Sequence, residues 1–300
     1  MADFREALSK GVLLFDGAMG TEIYNRGVFI NRSYDEVNLT APDLVEDIHS
    51  AYAAAGADVI TTNTFGANRL RLLPFGLEDR HDEINAVGVR LAKRAAGEKA
   101  WVAGSIGPIG AQLTPIGKIS PGAAFNAFKA QAAVMAEEGV DLFVLETFAN
   151  LGELWAAVRA VRSLSDKPIV ANLTFQPVLG PDRSAQKALV HHAVQTMRTW
   201  SVDAIGTNCS NGPRGVLDIV EQMRTLTTLP IAAMPNAGLP QVVEGRTLYL
   251  AGPEYMAEYA RRNAQAGAAI VGGCCGTSPA TIKEMRNYLQ SIAPMAKASP

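Results

Sequence analysis

The sequence predicts an α/β fold, a single (β/α)8 TIM barrel in which residues 1–300 form one domain. Eight short apolar runs recur along the chain. The first begins at residue 12 and the eighth at residue 268, a mean step of about 37 residues, enough for one strand–helix unit of a barrel. Stretches with helical periodicity separate the runs, and no linker or composition shift divides the chain. An open doubly wound sheet is the alternative. It usually has fewer strands, and its G-x-G-x-x-G fingerprint is missing here.

The units follow in order. Val12–Phe15 is the first run, and after the long loop Asn25–Pro42 comes a helix over Asp43–Ala55. Leu44, Ile48, Ala51, Tyr52 and Ala55 form one stripe of that helix, the spacing of a buried face. Asp58–Thr62 and Trp101–Ser105 are the second and third runs. A helix over Pro121–Gly139 carries Phe125, Phe128, Ala132 and Met135 on one side. The remaining runs are Asp141–Leu145, Pro168–Leu173, Asp203–Thr207, Pro230–Met234 and Ala268–Val271. Helices are predicted over Leu151–Leu164, Ala188–Trp200, Arg214–Leu226, Pro253–Ala266 and Pro279–Leu289. Continuous apolar runs of this length suit strands covered on both faces of a parallel sheet. Gly56-Ala57-Asp58 and Gly139-Val140-Asp141 place a glycine cap directly before a strand, as short helix-to-strand loops do.

Composition narrows the function. Hydrophobic residues make up 48% and charged residues 19%, which excludes a disordered chain. With 27 basic and 29 acidic residues the net charge is -2, so nothing attracts nucleic acid or an anionic membrane. Three cysteines, Cys209, Cys274 and Cys275, are too few for a secreted disulfide framework. The N-terminus has no signal-peptide pattern. The uncharged runs Thr225–Val243 and Asn263–Ile282 are broken by Gly and Pro, unlike a membrane helix. A cytoplasmic, soluble protein is expected.

In a barrel the chemistry sits at the C-terminal ends of the strands. Those ends carry Asp16-Gly17, Thr62-Asn63-Thr64, Ser105, Glu146-Thr147, Asn172, Asn208-Cys209, Pro235-Asn236 and Gly272-Gly273-Cys274-Cys275-Gly276. No lysine is among them, which argues against Schiff-base chemistry. All three cysteines are. The sixth and eighth strands are next-but-one neighbours, so all three sulfurs could converge on a single ion. Three thiolates with an open fourth position describe a catalytic zinc site. Buried cysteine also serves as a small apolar residue, and a turn after the eighth strand is also a common phosphate site. No basic residue accompanies that turn. Asp16 and Glu146 suit either a structural cap or recognition of a substrate amine. His49, His81 and His191-His192 lie on helices or loops, away from the strand ends.

These segments together resemble the homocysteine S-methyltransferase family. That family includes the homocysteine barrel of cobalamin-dependent methionine synthase and the betaine– and S-methylmethionine–homocysteine methyltransferases. The likeness runs from Leu14-Phe15-Asp16-Gly17-Ala18-Met19-Gly20-Thr21 through Ala57–Phe65, Glu146-Thr147 and Gly206-Thr207-Asn208-Cys209. It continues to Pro235-Asn236-Ala237-Gly238 and Gly272-Gly273-Cys274-Cys275-Gly276-Thr277. The resemblance implies that Cys209, Cys274 and Cys275 hold zinc and that the homocysteine sulfur becomes the fourth ligand. In the substrate-free protein it implies water or a protein oxygen there, with Asn236 a candidate. It implies that Glu146 binds the substrate amine and that Asp16, Gly17 and Thr62 line the pocket. The chemistry is sound. A free thiol has a pKa near ~8.5, zinc deprotonates it outright, and three further thiolates keep it electron-rich toward a methyl carbon.

The resemblance leaves the methyl donor open. Gly66 and Thr147 stand where the betaine enzyme carries tyrosines, so the cation–π cage for betaine is missing. The segment Pro235–Tyr249 is closer to methionine synthases and to methyltransferase halves fused to methylenetetrahydrofolate reductase. No folate domain and no Asp-x-His-x-x-Gly cobalamin motif is present, Asp47-Ile48-His49 lacking the glycine. Methylcobalamin or methyltetrahydrofolate is then expected from a separate protein, whereas S-methylmethionine needs none. Two other functions fit the residues. One is a related zinc-dependent methyltransferase acting on another thiol or a corrinoid. The other is a non-catalytic zinc/thiol redox-sensing barrel.

Overall fold

Eight parallel strands wind into a barrel with helices outside, in a computed structural model that describes residues 3–29, 32–176, 183–209, 211–243 and 246–291. Positions 30–31 of the first loop and 244–245 of the segment after the seventh strand lie outside those residues, as does the tail after 291. The chain opens with α1 (Phe4–Lys10), β1 (Leu13–Leu14), α2 (Met19–Asn25), α3 (Val37–Thr40) and α4 (Pro42–Ala54). It continues with β2 (Val59–Thr61), α5 (Arg69–Leu72), α6 (His81–Ala96), β3 (Trp101–Ile106), α7 (Pro121–Glu137) and β4 (Leu142–Phe148). Next come α8 (Leu151–Arg162), β5 (Ile169–Leu173), α9 (Ser184–Met197), β6 (Ala204–Asn208), α10 (Pro213–Arg224) and β7 (Ile231–Met234). A hairpin, β8 (Gln241–Val243) and β9 (Arg246–Leu248), precedes α11 (Pro253–Gln265), β10 (Ala268–Val271) and α12 (Pro279–Gln290).

The eight-stranded sheet runs β1-β10-β7-β6-β5-β4-β3-β2. Its two ends meet through a parallel bridge between Phe15 and Val59, with the Asp58 N–H donating to the Leu14 carbonyl at 2.7 Å. All eight apolar runs are strands, and β6 and β10 flank β7 as expected. Aspartates at the strand starts hold the register. Asp58, Asp141 and Asp203 each accept the N–H of a residue on the preceding strand, at 2.8 Å from Leu14, 2.7 Å from Val102 and 2.8 Å from Ile169. The caps read from the sequence take the left-handed backbone that glycine allows, with φ of 96° at Gly56 and 81° at Gly139.

Two apolar layers stabilise the fold. Phe15, Val59, Ala103, Val144, Val170, Ala204, Ala232 and Ile270 fill the barrel interior. Alternate residues such as Leu14, Ile60, Val102, Leu145, Ala171 and Ile205 pack outward under the helices. α1 closes the N-terminal end: Phe4 stacks edge-on against Trp101, and Arg5 bonds Asp203. The other end of the barrel remains for the site.

The structure adds elements that the periodicity reading does not name. α6 is the largest. Ile84, Val89, Leu91, Ala92 and Ala96 form its buried face, with Gly88 at its centre. A Cβ at Gly88 would lie 2.7 Å from both Asn38 Nδ2 and Thr64 Cγ2. A residue that weakens a helix in isolation is therefore required by how closely α6 approaches the β2 loop. The β8–β9 hairpin is the second addition, and it stands beside the mouth.

Candidate metal centre and substrate cavity

The residues at the strand ends build the site. Asn208 is the last residue of β6 and is fully buried. Its side-chain oxygen accepts the Thr147 N–H at 2.7 Å, and its nitrogen donates to the Thr147 hydroxyl at 2.8 Å. The same nitrogen lies 3.4 Å from Glu146 Oε2 and 3.8 Å from Cys274 Sγ. One amide therefore links the ends of β4, β6 and β10. Thr147 and Cys209 adopt left-handed backbones, with φ of 63° and 58°. Such residues cost on the order of 1–3 kcal/mol each and persist where surrounding bonds over-determine them. Here the Asn208 clamp holds Thr147, and the Cys209 N–H is tied to the Met234 carbonyl at 3.2 Å.

The Gly-Gly-Cys-Cys-Gly turn is fitted into a narrow space. A Cβ on Gly272 would press on Phe15 at 2.9 Å, and one on Gly273 would collide with Thr277. The Cys274 N–H donates to the Pro235 carbonyl at 2.9 Å, and the Cys275 carbonyl accepts the Ala237 N–H at 2.8 Å. The Thr277 hydroxyl donates to the Cys274 carbonyl at 2.7 Å. This folding back brings adjacent cysteines onto one point.

The Sγ atoms of Cys209, Cys274 and Cys275 all lie within 4.8 Å of one another. A tetrahedral ion with zinc–sulfur bonds of ~2.3 Å needs sulfurs about 3.8 Å apart. Among the described residues this is the only such cluster of potential ligands, and none of its cysteines is in a disulfide. Cys209 raises the pKa of both other thiols. Hydrogen bonds from Cys209 and burial push Cys275 to about 11 and Cys274 well up. Three thiols this close do not ionise together unless a cation joins them. Asn236 Oδ1 is buried without a partner, and Asn236 lines the cavity beside Cys209. The donor set fits a soft divalent ion with a fourth place open.

A cavity of about 560 Å³ opens at this mouth, lined by Thr147, Thr174, Gln176, Cys209, Asn236, Leu239, Pro240 and Tyr249. Glu146 precedes the lining residue Thr147 and contacts Asn208. The Ser105 hydroxyl donates to Glu146 Oε1 at 2.5 Å. Burial holds Glu146 up at about 7 despite that bond. Asp16 accepts the Thr61 N–H at 2.8 Å, and burial, with the Glu146 charge adding to it, raises its pKa to about 8. Among the described residues no lysine or arginine pairs with either.

Gly17 and Thr62, expected to line the pocket, stand at strand ends outside the lining of that cavity. A Cβ on Gly17 would lie 2.7 Å from Thr277 Oγ1 and 2.9 Å from the Tyr52 hydroxyl. The Thr62 hydroxyl accepts the Ser105 N–H at 3.0 Å and meets Thr64 Oγ1 at 2.6 Å. Thr64 gives its proton to the Ser105 carbonyl, so Thr62 donates to Thr64 and its hydroxyl is occupied. The histidines stay apart. His49 and His81 are fully buried in α4 and α6, while His191 and His192 are exposed on α9. Ser105 and Asn208 were visible at strand ends, but their bonding was not. Tyr249 has no sequence signal, because it follows a hairpin rather than a barrel strand.

Fold and site define a class: a (β/α)8 barrel whose mouth gathers three thiols suited to a soft metal ion. The chain belongs to the homocysteine S-methyltransferase family, whose family model matches residues 13–289. It is 33% identical to a methionine synthase of Mycobacterium tuberculosis over 97% of its own length and 26% of that protein's. It is 32% identical to the methionine synthase of Mycobacterium leprae, over 94% and 25%. The chain thus spans about a quarter of the curated relatives it matches. The fold matches the metallated form of the homocysteine methyltransferase MmuM of Escherichia coli, with a TM-score of 0.77 at 24% identity over 95% of this chain and 99% of that one. Among the described residues no helix is long and apolar enough to cross a membrane.

Proposed function

We propose that this chain transfers a methyl group to the thiol of homocysteine, giving methionine, at a zinc ion held by Cys209, Cys274 and Cys275. The observation that carries the reading is the convergence of those three sulfurs at the mouth, within 4.8 Å of one another. Zinc, when bound, supplies a means of keeping a substrate thiol as thiolate at neutral pH. Everything else falls to the chain's own residues. Asp16 is a buried and Glu146 a half-buried carboxyl, and among the described residues neither has a basic partner, which suits them to a substrate ammonium. Ser105 and Asn208 fix the Glu146 carboxyl in place. Asn236 Oδ1, buried and unpartnered, offers the fourth contact when no substrate is present. Gly17 permits the close packing of β1 on Thr277, and Thr62 braces the wall between β2 and β3. Methyl transfer from an electrophilic carbon needs alignment and exclusion of water rather than a general base.

The donor we favour is a methylcorrinoid or methyltetrahydrofolate presented by a separate protein or further domain. Likeness to two methionine synthases, each about four times the span of this chain, supports it. Leu239 lines the cavity and is exposed, and Leu248 and Leu250, which flank the lining residue Tyr249, are exposed as well, which suits a surface for a carrier. Three cysteines outside any disulfide suit the reducing cytoplasm.

One purified, reduced sample tests the reading. Zinc content and methionine formation are measured with homocysteine and, in parallel, S-methylmethionine, betaine, methylcobalamin or methyltetrahydrofolate. About one zinc per chain and turnover with a donor is expected, and Cys275→Ala loses both. Reduced protein without zinc would sink the mechanism. Zinc that leaves on oxidation, with no turnover from any donor or carrier, would favour the redox-sensing barrel.

A further inference from the structure

We propose that Tyr249 is a positioning residue for Cys275, its hydroxyl donating to the Cys275 sulfur and holding it in place for the metal. The inference rests on the three-thiolate reading above. Each of the other two sulfurs has its own device. Cys209 is set by its left-handed backbone, and Cys274 lies 3.8 Å from Asn208 Nδ2. Cys275 sits in a glycine-rich turn, and the Tyr249 side chain packs on Gly276, the next residue of that turn.

The chain is built to bring that hydroxyl there. Tyr249 follows the β8–β9 hairpin, an insertion between β7 and α11. The segment after it is pinned by the Ala251 N–H on the Ala237 carbonyl at 3.0 Å. Ala237 in turn donates to the Cys275 carbonyl at 2.8 Å, so the tyrosine and the turn share one backbone frame. The ring lies on Gly276, where any Cβ would collide with it, and Gly276 has a φ of 82°. Gly276 thus serves two needs, the turn and the ring. Tyr249 also lines the cavity with Cys209 and Asn236. Partners of metal ligands that orient them typically contribute 10–100-fold to metal affinity. An O–H donor on a thiolate also draws charge from it, which matters where three thiolates meet.

The test is Tyr249→Phe, which keeps the ring and removes the hydroxyl. Zinc affinity is measured by competition with a chromophoric chelator, and cobalt(II) is titrated to record the thiolate-to-metal absorption. Thermal melts of the metal-free proteins run alongside. About tenfold weaker zinc binding is expected, with a shifted cobalt band and an unchanged metal-free melting temperature. Equal affinity and an identical band overturn the proposal. A drop in metal-free melting temperature that accounts for the loss of affinity also overturns it, because the hydroxyl would then hold the fold rather than the thiol. Wild-type protein that binds neither ion removes the three-thiolate reading and this one with it.

Discussion

Asp16, buried, and Glu146, half-buried, are carboxyls at one barrel mouth, and among the described residues no basic side chain is bonded to either. Burial raises both, so the free site holds acidic groups ready to be stabilised by an arriving ammonium. Charge-assisted hydrogen bonds contribute roughly 1.5–3 kcal/mol, so Glu146→Gln should raise KM for homocysteine by about ten- to a hundredfold. Zinc content should stay at the wild-type level, because Glu146 is no ligand. Steady-state kinetics with metal analysis checks this, and an unchanged KM would remove Glu146 from substrate binding. At this scale the ligands were legible. Three cysteines in 300 residues, all at strand ends, are a pattern that packing alone does not produce. The supports were not. Ser105 and Glu146 are 41 residues apart, and Asn208 and Cys274 are 66 apart. Only the winding of the barrel brings them together.

The elements differ in how far their sequences speak for them. The buried strands read as apolar runs because both faces are covered. Helices such as α4 read through a single stripe. α6 shows the opposite case, with Gly88 inside a long helix. On an exposed helix surface, alanine in place of glycine would stabilise by ~0.5–1 kcal/mol. Here the added methyl would press on Asn38 and Thr64 at 2.7 Å. Gly88→Ala should therefore destabilise by about 1–3 kcal/mol, the usual range for overpacking. Urea denaturation decides the sign, and a gain in stability would show that α6 is packed less closely than described. The β8–β9 hairpin exposes Val242 and Leu248. Its value lies in delivering Tyr249 to the turn, a task that leaves no periodicity to read.

For the whole molecule, the buried site groups make stability depend on pH. Asp16 titrates at about 8 when folded and near 3.8 when exposed. Between those values the folded chain keeps a proton that the unfolded chain has lost. Its contribution is complete below about pH 4 and is lost as the pH climbs toward 8, by about 1.4 kcal/mol per pH unit at the steepest. His49, fully buried and lowered to about 3 by that burial, works the other way below pH 6.5. Comparison of metal-free wild type with Asp16→Asn cancels His49 and isolates the carboxyl. The variant should gain stability relative to wild type as the pH rises from about 4 to 8. A constant difference across that window would show that Asp16 is not desolvated. The sequence by itself determined the eight-unit barrel, the mouth at which chemistry sits and the three sulfurs. Those rest on local properties: apolar length, helical spacing, glycine caps and residue type at a strand end. Only the tertiary structure decided that adjacent cysteines converge, that Asn208 joins three strands, that Thr62 is a strut and that Tyr249 packs on Gly276. Each of these joins residues distant in sequence or depends on the path of a turn, and hydrogen bonds of that kind have no counterpart in a one-dimensional pattern.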